Sequence, residues 1–173
     1  MELKSFFERA IRASFHDLAI RDDPAAPYLA DLCTRFARTE NLYPRGVALP
    51  RLETVIDMLL EIGQAWDPAG GHFEPEHEIA VRRHIGDYTL FMTGLFRERV
   101  ERTSGTSYYV NQGKRAYQFV SEHQRATASG TAPRPPFRRL AERFEHYAGA
   151  LDYARRVHFL DGPQHPFFRL RFE

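Results

Sequence analysis

Within one helix-length run, Phe73 to Arg102, the chain places His77, His84, Asp87 and Tyr88 among Val81, Ile85, Phe91, Met92 and Leu95. At about 100° per residue, His77, Val81, His84, Tyr88, Phe91, Met92 and Leu95 share one helical face. That face is apolar apart from its titratable and hydroxyl groups, and a polar group among apolar neighbours must find a partner or be costly. His84 and Asp87 stand three apart, so the carboxylate could fix the imidazole tautomer and leave the other ring nitrogen to act as acid or base. These two are the candidate catalytic residues. No nucleophile completes them, because Ser104, Ser107, Ser121 and Cys33 qualify by type alone and none lies in a Gly-x-Ser-x-Gly elbow.

Metal chemistry is the second option for the same stretch. Glu74 and His77 have the i, i+3 spacing with which carboxylate-bridged dimetal bundles project ligands into their core. Such a cage needs a second copy of the pair on another helix, and none is present: Glu142 and His146 are four apart, while Glu122 and His123 are adjacent. Glu74, His77 and His84 are therefore weak metal candidates, and no cofactor is expected. The plainer expectation for His84 is a core histidine hydrogen-bonded by Asp87 or a tyrosine.

A third group surrounds Gly113, in a helix that also carries Tyr108, Tyr109, Lys114 and Tyr117. A glycine inside a helix costs about 1 kcal/mol relative to alanine, so something should approach the backbone closely there. Gly86 and Gly94 raise the same expectation in the preceding helix, and a tight crossing of the two helices at their glycines accounts for all three. A small-molecule pocket, if built here, would be lined by Tyr88, Tyr109, Gly113, Lys114 and Tyr117, with His84 and Asp87 adding polarity.

These groups must be positioned by helices. Leu3, Phe6, Phe7, Ala10, Ile11, Ser14 and Leu18 recur at helical spacing, predicting a helix over about residues 2 to 20, ended by Asp22, Asp23 and Pro24. A second helix opens near Pro27 and turns Leu29, Leu32, Cys33 and Phe36 inward. Pro50 starts a third with Leu52, Val55, Ile56, Leu59, Leu60 and Ile62, closed by Gly63, Trp66 and the Asp67 to Gly71 loop. The fourth runs from about 75 to 102; its middle is apolar nearly all round, which places it at the centre of the fold. Thr106 or Ser107 can cap a fifth helix bearing Tyr109, Gly113, Ala116, Tyr117 and Val120. Pro135 and Pro136 introduce a sixth with Phe137, Leu140, Phe144, Tyr147, Leu151 and Val157. The expected fold is all-α, a single-domain bundle or orthogonal array of about six helices spanning residues 1 to 173.

The exception to helical spacing is the end of the chain. From Phe168 to Phe172 the residues alternate as in a strand or an extended arm, and Phe167, Phe168, Leu170 and Phe172 are too apolar to stay in water. Docking on the chain's own core is the simpler outcome; a swapped arm that joins two copies into a homodimer is the alternative.

Composition narrows the function classes. With 173 residues and 43% hydrophobic content, the chain can bury one substantial core, and 27% charged residues with ordinary Gly and Pro levels exclude a disordered or low-complexity reading. Its longest apolar stretch, near Tyr88 to Phe96, is too short to cross a bilayer, and Met1 to Ile20 is too charged for an export signal, so a cytoplasmic location without membrane contact is expected. Cys33 is the single cysteine, which rules out an internal disulfide.

Net charge is +1, yet Met1 to Phe96 holds 10 basic and 15 acidic residues while Arg97 to Glu173 holds 14 and 8. The split favours contact between the halves or between two copies. Arg134, Arg138, Arg139 and Arg143, followed by Arg155, Arg156, Arg169 and Arg171, could form a phosphate-binding patch. Glu142, Glu145 and Asp152 interrupt that cluster, so nucleic acid ranks below a solvated helix surface. The sequence therefore points to a non-enzymatic interaction or small-ligand-binding module, with a His84/Asp87 helical enzyme as the alternative and a nucleic-acid-binding regulator third.

Overall fold

In the computed structural model the chain is described over residues 2–21, 24–38, 75–103, 105–127, 134–160 and 162–169, and these form helices with no strand among them. In order they are α1 (Glu2–Asp17), α2 (Ala25–Arg38), α3 (Pro75–Leu95), α4 (Arg97–Thr103), α5 (Thr106–Ala126), α6 (Phe137–Glu142), α7 (Phe144–His158) and a 3-10 turn at Pro166–Arg169. The third helix expected from Pro50, the loop after it, and Glu74, Leu170 and Phe172 lie outside the described residues.

Proline sets two of the starts. Pro75 is the first residue of α3 and Pro27 the third of α2, positions whose backbone N–H would have no intrahelical partner in any case. Glu76 and Glu78 in the first turn of α3 complement the positive end of its dipole. The cap expected from Thr106 or Ser107 is not made: Gly105 occupies the N-cap of α5 with φ 82 and gives no side-chain bond. Its positive φ, which glycine tolerates, lets its N–H close α4 on the Val100 carbonyl at 2.9 Å.

α3 is the central element, with every residue from Ile85 through Leu95 buried, followed by buried Phe96. It packs on α5 and α7 and touches α2, while α1 lies against α2 and α7. One apolar core draws residues from α1, α2, α3, α5, α6, α7 and the 3-10 turn. The expected glycine crossing of α3 and α5 is found at Gly86 and Gly113, whereas Gly94 is closed by α7 instead. A Cβ on Gly86 would lie 2.6 Å from the Tyr117 ring, one on Gly113 2.4 Å from Phe144 and 2.5 Å from the Thr89 hydroxyl, and one on Gly94 2.6 Å from Leu151 Cβ. Only glycine allows these approaches.

Two helices read as continuous are broken. The expected 75 to 102 helix bends at Phe96, although Phe96 N–H still reaches the Met92 carbonyl at 2.9 Å and Val100 N–H the Phe96 carbonyl at 3.0 Å. Just before the bend, Thr89 donates to the Ile85 carbonyl at 2.7 Å and Thr93 donates to the Thr89 carbonyl. Back-bonding threonines bend helices. The expected sixth helix divides at Arg143, whose φ and ψ of −117 and 27 are not helical. Leu18 and Val157, assigned inward from their spacing, are instead 41% and 45% exposed.

α1 closes with a left-handed residue. Ala19, at φ 54, lets the Ile20 N–H bond the Phe15 carbonyl at 2.8 Å and its own N–H bond the His16 carbonyl at 3.2 Å, the paired contacts of a Schellman end. Glycine usually occupies that position. Ala19→Gly relieves a strain of about 1–2 kcal/mol and adds about 0.5–1 kcal/mol of unfolded-chain entropy, so a net gain of roughly 0.5–1 kcal/mol is expected in chemical denaturation.

Candidate functional site

Asp87 is 1% exposed on the central helix, a position where a carboxylate must be fully engaged. Its Oδ1 accepts hydrogen bonds from the Tyr28 and Tyr117 hydroxyls, both at 2.7 Å, and its Oδ2 accepts from Arg35 at 2.9 Å. Arg83, one turn back on α3, stands 3.9 Å from Oδ2 and donates to the Tyr28 oxygen at 3.3 Å. Arg35 also pairs with Asp31 at 3.2 Å, and Asp31 with Lys4 at 3.7 Å. The network thus joins α1, α2, α3 and α5 through one acid.

Helical register explains its assembly. Tyr28, Asp31 and Arg35 fall at i, i+3 and i+7 on α2, while Arg83 and Asp87 are i, i+4 on α3. Tyr117 reaches Asp87 because Gly86 presents no side chain to its ring. Arg83 lies 5.4 Å from the Phe137 ring centroid and 5.6 Å from that of Tyr28, which roofs the cluster with aromatic surface.

Electrostatics suit a clasp better than a reactive centre. Burial, then the charge of Asp87, pushes the phenol of Tyr117 well above its ordinary range, and the same two causes raise Tyr28. Burial, then Tyr109, raises Tyr88. All three phenols stay protonated, and those of Tyr28 and Tyr117 donate to Asp87. Burial likewise raises the Cys33 thiol, leaving it inert toward nucleophilic chemistry.

The sequence-derived sites scatter. His84 is exposed, not a core histidine, and its ring stacks on Phe36 with centroids 5.6 Å apart. Its neighbours along α3 are buried, Val81 a turn before and Ile85 beside it, so the exposure belongs to His84 alone and not to its turn. Asp87 takes its bonds from α2 and α5 instead. Tyr88 and Tyr109 are buried side by side, ring centroids 6.2 Å apart, and Gly113 is pressed by Thr89 and Phe144. The space foreseen as a pocket at that crossing is filled by these side chains. Lys114 faces outward, where it bonds Glu145 at 2.7 Å and lowers that carboxyl's pKa. His77 is exposed, and no group of three metal-ligating side chains comes together among the described residues.

Tyr28, Arg35 and Arg83 were missed by sequence reasoning. So was Glu78, 2% exposed, which accepts from Arg82 at 3.0 Å while that guanidinium lies 3.9 Å over the Phe119 ring. Three members of the arginine cluster pair with acids, Arg138 with Glu142 and both Arg155 and Arg156 with Asp152, each at 2.9 Å. No helix among the described residues is long and apolar enough to cross a membrane.

Grooves open on the surface of the described residues. One is bounded by Lys114, Arg125 and Arg138 with Glu122 and Glu142. Another has Arg97 with Glu101 and Glu145. The third, about 790 Å³, is bounded by Arg12, His16, Arg21 and Arg139 among the described residues. Comparison with known proteins finds no matching family model, curated protein or solved structure.

Proposed function

We propose that this chain is a non-catalytic binding module, a rigid helical scaffold that presents its ligand or partner surface in an outer groove. The observation that carries this reading is the complete engagement of Asp87. A catalytic base needs a lone pair aimed at substrate and a path for its proton. Asp87 instead spends both oxygens on Tyr28, Tyr117 and Arg35. The phenols that touch it are held protonated by burial, and the imidazole three residues away is at the surface on Phe36.

Stability separates a clasp from a working site. Catalytic side chains are commonly neutral or costly to stability, whereas a buried bond to a carboxylate contributes about 1.5–3 kcal/mol. Tyr117→Phe keeps the ring on Gly86 and removes only the hydroxyl. Denaturant unfolding is expected to show a loss of about 1.5–3 kcal/mol. An unchanged or raised stability would return Asp87 to the list of reactive groups and overturn the reading.

A further inference from the structure

We infer that His165 is an acid-sensitive latch on the terminal aromatic segment: its neutral imidazole caps the 3-10 turn that seats Phe167, and protonation of the ring releases that cap. Pro166 opens the turn without an N–H, so Phe167 supplies its first backbone donor. That donor is met by a ring: Phe167 N–H donates to His165 Nδ1 at 3.1 Å. Phe168 N–H donates to the His165 carbonyl at 3.1 Å, and His165 N–H reaches the Pro163 carbonyl at 2.7 Å. His165 therefore ties the turn through its side chain and both of its backbone groups. The usual cap is an Asn, Ser or Thr oxygen, which does not titrate. An imidazole differs. Nδ1 accepts only while its lone pair is free, which requires the tautomer with the proton on Nε2, and a second proton at Nδ1 sets one N–H against another.

Two rings are seated by this turn, Phe167 on Phe7, Phe91 and Phe159, and Phe168 on Phe6, so its opening uncovers aromatic surface. The cap belongs to the neutral ring alone. It is complete above the ordinary histidine range, about pH 6.5, and is lost as pH falls through it. The charged groups of the surrounding elements do not give that response. Arg169, in the same turn, is exposed and keeps its charge throughout. At the end of α7, His158 stands 3.0 Å from Asp17 of α1, a contact that charging the imidazole strengthens. Beside Phe6 and Phe7 on α1, Lys4 pairs with Asp31 and Glu8 with Arg12, while Glu2 and Arg9 are exposed. The α3 stretch around Phe91, from Leu90 to Leu95, holds no titratable side chain. Asp161, Arg171 and Glu173 lie outside the described residues, so the test isolates the ring by substitution.

Hydrogen exchange of the Phe167 and Phe168 amides in the full chain, corrected for the intrinsic pH dependence of exchange, reads the opening of the turn on either side of the histidine range, at about pH 7.5 and about pH 5. A cap of ordinary strength predicts about fivefold more opening in acid. His165→Asn supplies an amide oxygen that accepts without titrating, and its turn should stay equally closed at both values. His165→Ala, with no acceptor, should open about fivefold more than the native chain at the higher pH and show no further loss in acid. Nitrogen-correlated spectra of the native imidazole should place its proton on Nε2 at the higher pH. A proton on Nδ1 there, or native protection that is the same at both values, overturns the proposal. So does an acid loss that persists in His165→Asn, which would assign the response to Asp161 or Glu173. The Phe91 amide on α3 should keep its protection throughout; a parallel loss there would mean global unfolding in acid and would sink the latch as well.

Discussion

Replacing Asp87 with alanine is expected to remove about 3–5 kcal/mol of folding stability, a large share of the roughly 5–15 kcal/mol that holds a domain together. The loss comes less from the attraction between Asp87 and Arg35 than from what remains after the carboxylate is gone. Arg35 is 41% exposed at its side chain and keeps Asp31, so it returns to water at small cost. Tyr117 has no such escape: it is fully buried, wedged between Gly86, Phe137 and Phe144, and its hydroxyl would lack an acceptor. An unsatisfied buried hydroxyl costs about 1–3 kcal/mol, and Tyr28 adds a smaller share because it is partly exposed. Asp87→Asn should be milder. An amide oxygen can still accept from both tyrosines, and the main loss is at Oδ2, where an NH2 would face the Arg35 donor. Replacing the acid and both hydroxyls together, as Asp87→Leu with Tyr28→Phe and Tyr117→Phe, should recover much of the alanine loss, since an apolar cluster needs no partners. Equilibrium urea unfolding of the three variants provides the check. A destabilisation below about 1 kcal/mol for Asp87→Ala would show that the network carries no structural weight.

The contrast between Asp87 and His84 shows what a single helix discloses. That the Ile85 to Phe96 stretch is enclosed could be read from residues apolar on every side, and the glycines at 86, 94 and 113 announced close crossings that the structure contains. Local periodicity also placed the acid in dry surroundings. It could not supply the partners, because Tyr28, Arg35 and Tyr117 stand 59, 52 and 30 residues away. The pattern at 28, 31 and 35 on α2, polar residues in register beside an apolar stripe, was the available clue. His84 and Tyr88 are one turn apart on the same face and Val81 before them is buried, so a shared face does not by itself decide the burial of each residue on it. Helix ends failed for a related reason. The bend after Thr93 and the break at Arg143 arise from side-chain competition for carbonyls and from docking angles, which average out of a periodicity measured over many residues.

Docking angles also decided the fate of the terminal aromatics, and they carry the second large effect. The alternation after Phe167 suggested a strand or an arm, but Pro166–Arg169 winds into a 3-10 turn that brings Phe167 to full burial. There its ring meets Phe168 at 5.2 Å, Phe7 at 5.6 Å, Phe91 at 6.1 Å and Phe159 at 6.3 Å between centroids. Phe168 in turn packs on Phe6 at 5.0 Å, and a Cβ on Gly162 would strike its ring at 2.7 Å. The segment thus seals the contact between α1, α3 and the end of α7 within one chain. Phe167→Ala should leave a cavity that the surrounding rings cannot collapse into, because each is fixed by further aromatic neighbours, and the expected loss is about 3–5 kcal/mol. Concentration distinguishes this arrangement from an exchanged arm. Docking within one chain makes the unfolding midpoint and its shift on Phe167→Ala independent of protein concentration, whereas an arm shared between two copies makes both rise with concentration. Unfolding curves of the native and Phe167→Ala chains over a hundredfold concentration range, read beside their masses in solution, should superimpose for each protein. Midpoints that climb with concentration, together with a dimeric mass lost in the variant, would show that the aromatic segment joins two copies.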